Sequence, residues 1–164
     1  ISINISRIDI LDERFLALFE STLQKYQLPP ELIELELTES VFLDSTETLI
    51  QSINRLRSLG LLFSIDDFGS GYSSLNLLRR LPIDILKLDR EFLSSGQSTP
   101  REQAVISGMI HLAKSLDIIV LSEGVETNEQ AEFLKSAGCD LAQGYLYSKP
   151  LPVDAFLNKL ALQS

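Results

Sequence analysis

The sequence predicts an α/β fold: a single unit in which parallel strands alternate with helices and the strand ends gather at the mouth of a barrel. Three observations predict it. Short apolar runs alternate with segments of helical apolar spacing, six times over, and strict alternation requires parallel strands joined by helical crossovers. Nearly every strand ends in a side chain able to coordinate metal or water: Asn4, Glu36, the pair Asp66-Asp67, Lys87, Glu123 and Gln143. Such ends converge at a barrel mouth, whereas in an open sheet they would spread along a line. Finally, 164 residues suffice for one good core and are too few for two ordinary domains.

The elements follow in order. Residues 1–6, ISINIS, are apolar at positions 1, 3 and 5 and read as a strand. Asn4 falls on the face opposite the isoleucines, placed either to close a turn or to offer a carbonyl oxygen to a hard cation. Residues 9–26 carry Ile10, Leu11, Phe15, Leu18 and Phe19 at helical spacing, and Pro29-Pro30 ends that region. Residues 33–37, IELEL, alternate strictly, so three aliphatic side chains face a core and both glutamates face away. Glu36 lies near the strand's end and Glu39 follows in ELTES; a solvated strand face and a ligand-bearing strand end both fit. Residues 46–59 form the next helix, with Gly60 as its C-cap.

Residues 61–65, LLFSI, are too short for a helix and too continuous for an edge strand, so they read as a buried parallel strand. Asp66 and Asp67 close it, Gly69 and Gly71 free the backbone for a tight loop, and Ser73-Ser74 cap a short helix over 72–80. Two adjacent acids there fit an ordinary capping loop. They also fit a binuclear site, in which one carboxylate bridges two ions and the other binds the second. Residues 83–89, IDILKLD, are the next strand. A lysine inside an apolar strand is costly unless it meets carboxylates or water in a cavity, so Lys87 reads as functional. A surface loop over 94–100 leads to a helix over 101–116 and a strand over 118–122 that ends in Glu123-Gly124-Val125-Glu126. A helix over 127–137, a strand over 141–145 and a helix over 152–162 complete the chain.

Composition narrows the function. A net charge of −9 argues against a nucleic acid polymer held through its phosphates, so a phosphorylated ligand would need metal cations. No stretch approaches the apolar length of a membrane span, which excludes direct membrane insertion. Cys139 stands alone, implying a reducing, cytoplasmic setting, which fits the cytoplasmic part of a membrane-bound signalling protein as well, and it sits as a semi-buried filler. His111, also alone, has no partner at ligand spacing.

The motifs INIS, ELTES, DDFGSGYSSL, LPIDILKLD, EGVE and QGYLYSKP run in this order from residue 3 to residue 150. Together they resemble the EAL domain, the bacterial phosphodiesterase that cleaves cyclic di-GMP to the linear dinucleotide pGpG. The resemblance implies a TIM-type (β/α)8 barrel with two divalent cations, Mg²⁺ or Mn²⁺, at its mouth, and in-line hydrolysis of one phosphodiester. Carried across by position, Asn4, Glu36 and Asp66 match ligands of the first metal, with Asp66 bridging to the second beside Asp67. Glu123 matches a carboxylate serving the second metal and its water. Lys87 matches the residue that orients the attacking water, Gln143 a substrate contact, and Glu39 a residue that steadies the DFGSG loop.

The resemblance also implies what a complete member carries beyond these residues. A complete member has two more strands before the Asn4 strand, and the second carries the Glu-Ala-Leu signature with a further metal ligand. The expected form here is therefore an incomplete barrel of about six strands, whose open edges favour a homodimer or higher association. Cyclic di-GMP is the implied ligand, and an upstream sensor or GGDEF-type domain the implied neighbour. The alternative is a catalytically inactive EAL-like module for nucleotide binding or protein interaction.

Overall fold

Six parallel strands form one sheet in sequence order: β1 (Ser2–Asn4), β2 (Glu34–Thr38), β3 (Leu62–Phe68), β4 (Ile85–Leu88), β5 (Ile119–Ser122) and β6 (Leu141–Ala142). The computed structural model describes residues 1–42, 47–68, 78, 81–93 and 99–161. Each strand pairs with its neighbour in the chain, and β1 and β6 form the two edges of an unclosed sheet. The helices are α1 (Arg7–Leu11), α2 (Glu13–Tyr26), α3 (Glu47–Ser58), α4 (Pro100–Ser115), α5 (Asn128–Ser136) and α6 (Val153–Ala161). The expected cap at Ser73-Ser74, the helix over 72–80 except Leu78, and most of the loop over 94–100 lie outside the described residues.

Register partners in parallel strands share a face, which divides the sheet in two. One face carries Leu35, Leu37, Phe63, Ile65, Leu86, Leu88 and Val120, all buried. They pack with Leu49, Ile53 and Leu56 of α3, Ile106 and Ile110 of α4 and Leu134 of α5 in one cluster. Each such burial contributes roughly 1.5–3 kcal/mol. The other face carries Asn4, Glu36 and Ser64 in register, with Lys87 further along it.

At the amino ends of the strands two aspartates repeat one arrangement. Asp84, just before β4, accepts from the backbone N–H of Phe63 at 2.9 Å and binds the Arg57 guanidinium of α3. Asp140, just before β6, accepts from the N–H of Val120 at 3.0 Å and binds Lys114 of α4 at 2.7 Å. Each ties a strand to the preceding strand and to the helix that leads into that preceding strand.

Three expectations change. The helix expected over 9–26 is two helices, because Asp12 is extended: it closes α1 through its N–H to the Asp9 carbonyl and opens α2 by accepting from Arg14 N–H. The strand expected over 61–65 runs on to Phe68 with a register shift between Ile65 and Phe68, so the acidic pair lies within the strand. The strand expected over 141–145 shrinks to two residues, because Gln143 and Leu146 turn to bond Val125 across the loop. Gly144 permits this, since a Cβ there would collide with the Val125 backbone.

Candidate active site

The site forms at the carboxyl ends of the strands. Glu36 rises from β2, Asp66 from β3, Lys87 from β4, and Glu123 follows β5 directly. Lys87 is 5% exposed, and its Nζ lies 2.8 Å from Glu36, 3.0 Å from Asp66 and 2.7 Å from Glu123. Burial alone would favour neutral lysine, but the contacts of its ammonium with the Glu123, Glu36 and Asp66 carboxylates outweigh it and raise the Lys87 pKa, keeping it charged. Gln143 donates to Glu123 at 2.8 Å, fixing that carboxylate from just beyond β6. Asn4 is the register partner of Glu36 and stands beside it on the same face.

A bulge sets the acidic pair. Between Ile65 and Phe68 the chain takes three steps on β3 while β4 takes two, from Leu86 to Leu88, so Asp66 and Asp67 together oppose Lys87. Asp67 has φ 55, a left-handed conformation that Asp tolerates better than most residues. The Asp67 carboxyl is pushed up, by partial burial first, then by a hydrogen bond with Asp89 and by the charges of Asp66, Asp89 and Glu123. Asp89 thus joins the cluster, a residue the sequence reasoning missed. The signal was present: in IDILKLD, Asp89 lies two positions beyond Lys87, on the same face of an alternating strand.

The remaining candidates are placed as follows. Glu39 is buried in the 3₁₀ turn Glu39–Phe42 after β2, and the loop it was expected to steady lies mostly outside the described residues. Cys139 is half-buried, and burial pushes its thiol up, away from the reactive thiolate. His111 is exposed, with Nδ1 at 2.7 Å from the Ser107 carbonyl oxygen.

A family model described as the EAL domain matches residues 1–150. The chain belongs to the EAL domain family. The cyclic di-GMP phosphodiesterase NbdA of Pseudomonas aeruginosa is 41% identical over 152 residues, which cover 93% of this chain and 19% of NbdA. The structure of the EAL enzyme Bd1971 with cAMP and cyclic di-GMP bound matches with a TM-score of 0.91 at 42% identity, over 97% of this chain and 42% of that one. Klebsiella pneumoniae BlrP1, in a manganese and cyclic di-GMP complex, matches with a TM-score of 0.83 at 31% identity, over 91% of this chain and 38% of that one. The chain spans between about a fifth and about a third of the length of the curated relatives it matches. The expected barrel class therefore holds, in an unclosed form of six strands.

The donor set of this EAL chain suits a hard divalent cation, because carboxylate and amide oxygens are the ligands that Mg²⁺ and Mn²⁺ take. The binding of Lys87 to three of those carboxylates marks a place where positive charge is stabilised. Among the described residues, no three acid, histidine or cysteine side chains are already arranged to hold an ion. The carboxylates close on Lys87 instead.

Proposed function

We propose that this chain is part of a cyclic di-GMP phosphodiesterase that hydrolyses one phosphodiester to give pGpG. The observation that carries the reading is the convergence of Glu36, Asp66 and Glu123 on Lys87 within 3.0 Å, from four successive strands of an EAL fold. Solvation or capping would not require three carboxylates and a buried ammonium to meet.

In this reading Asn4, Glu36, Asp66, Asp67 and Glu123 hold two divalent cations, Mg²⁺ or Mn²⁺. Bound there, the cations supply charge neutralisation at phosphorus and acidify water. The chain's own groups do the rest. Glu123, held by Gln143, accepts a proton from the attacking water. Lys87 orients that water and stabilises negative charge as the phosphorane forms. A new bond from water oxygen to phosphorus forms while the bond to the ribose 3′ oxygen breaks, and the leaving oxygen takes up a proton. Gln143 also contacts the nucleotide, and Glu39 steadies the loop that follows β3.

The domain reading is one EAL domain without its first two strands. The exposure of Ile1, Ile3 and Leu141 at the two sheet edges supports it. An upstream sensor or GGDEF-type domain is consistent with the much greater length of the relatives. Hydrolysis of cyclic di-GMP, followed by chromatography of pGpG, tests the reading. A chain extended upstream by about 80 residues, two strands with their helices in a barrel of this type, turns over, and the present chain does so poorly. In the extended form Asp66→Asn and Lys87→Ala each lower kcat about a hundredfold or more. Undiminished turnover in either variant overturns the roles of Asp66 and Lys87, and tight binding without turnover in the extended form favours the inactive module.

A further inference from the structure

We propose that Lys87 is the resident counter-ion of the carboxylate cluster and competes with divalent cations for it, so that loading the site requires Lys87 to give up part of its ion-pair set. The proposal rests on the two-metal reading for the identity of the entering cation.

The geometry is specific. An ammonium has three N–H donors, and Lys87 has three anionic neighbours: Glu36 Oε1 at 2.8 Å, Asp66 Oδ1 at 3.0 Å and Glu123 Oε1 at 2.7 Å. Its hydrogen bond goes to Glu36, and the other two carboxylates stand at ion-pair distance, so the charge of Lys87 is shared among groups of the chain itself. The three carboxylates come from elements that the sheet fixes rigidly, so they cannot separate to relieve repulsion, and at this burial a shared cation is what makes them compatible.

A divalent cation held by the same carboxylates would be repelled by an ammonium remaining among them. A cation taking over Glu36 and Asp66 would therefore displace Lys87 from part of its ion-pair set, leaving Nζ to water or a phosphoryl oxygen, which is the role Lys87 has in the proposed reaction.

The test uses this chain as Lys87→Met, Lys87→Arg and the double variant Glu36→Gln with Lys87→Met. Mn²⁺ affinity is measured by calorimetry, and Tm is recorded in EDTA and in Mn²⁺. Lys87→Met is expected to bind Mn²⁺ tighter than the parent by about tenfold or more. It is also expected to melt lower in EDTA and to gain more on adding Mn²⁺. Lys87→Arg keeps the charge and stays near the parent in affinity. If Lys87→Met has no melting transition in EDTA, the double variant, which removes one carboxylate charge, recovers one, and its failure to do so overturns the proposal. Lys87→Met binding Mn²⁺ no tighter than the parent, or melting as high as the parent in EDTA, also overturns it. No Mn²⁺ binding by any of the chains overturns the two-metal reading and the proposal with it, whereas equal binding by all overturns the competition alone.

Discussion

The two ends of the sheet use the same kind of side chain for opposite purposes. At the amino end Asp84 and Asp140 each have their own cation and a backbone N–H, so both of these charges are matched locally. At the carboxyl end Glu36, Asp66 and Glu123 share Lys87, with Asp67 and Asp89 added to the cluster, leaving negative charge in excess. The first arrangement stabilises the fold. The second is tolerated by it, and uncompensated negative charge is what attracts a cation.

The strongest way to break this contrast is to remove one aspartate from each end. Asp84→Ala is expected to lower stability by about 2–3 kcal/mol, since a backbone N–H and a guanidinium lose their partner together. A urea melt reads this as a lower midpoint with unchanged slope. Asp67→Asn, at the other end, is expected to raise Tm in EDTA, because it removes repulsion with Asp66, Asp89 and Glu123. A fall in Tm there would show that the carboxyl end, too, is built for stability.

Acid sharpens the comparison. Burial opposes ionisation of Asp140, but Lys114 and the Val120 N–H outweigh it and hold its carboxyl below the ordinary value of 3.8. A depressed pKa means that the unfolded chain takes up the proton first. The contribution of Asp140 is therefore complete above the ordinary value and lost as pH falls below it. Asp140→Asn is expected to lower Tm at neutral pH and to converge with the parent in strong acid. A constant difference across that range would mean that Asp140 acts by packing alone.

The smallest effect concerns the edges. Ile1 is 90% exposed beside β1 and Leu141 is 49% exposed on β6, and among the described residues neither strand has a partner on its outer side. Association of the isolated chain is expected, read as a mass that falls on dilution in light scattering behind a sizing column. A monomer at all concentrations with slow amide exchange on both edge strands would mean that the chain protects its own edges.

Much of this was legible in the residues. Strict alternation in IELEL put Glu36 opposite its aliphatic neighbours, and the structure keeps that division, with Leu35 and Leu37 buried toward the helices. The apolar run ending in Asp66-Asp67 marked the strand that carries the acidic pair. Asn4, Glu36, Lys87, Glu123 and Gln143 were recognisable as strand-end groups because a period of two and a strand boundary are local properties of sequence. The cap at Asp12 was not seen, since a residue that ends one helix and starts another leaves the apolar spacing intact.

What the sequence determined by itself was which side chains lie on which face of which strand, because that depends only on alternation along the backbone. What the tertiary structure alone decided was which of them meet. The bulge that sets both Asp66 and Asp67 against Lys87, the contact of Asp67 with Asp89, and the twin bridges of Asp84 and Asp140 all depend on register between strands remote in sequence. Register is fixed by how the whole sheet packs its apolar face, so no single segment contains it.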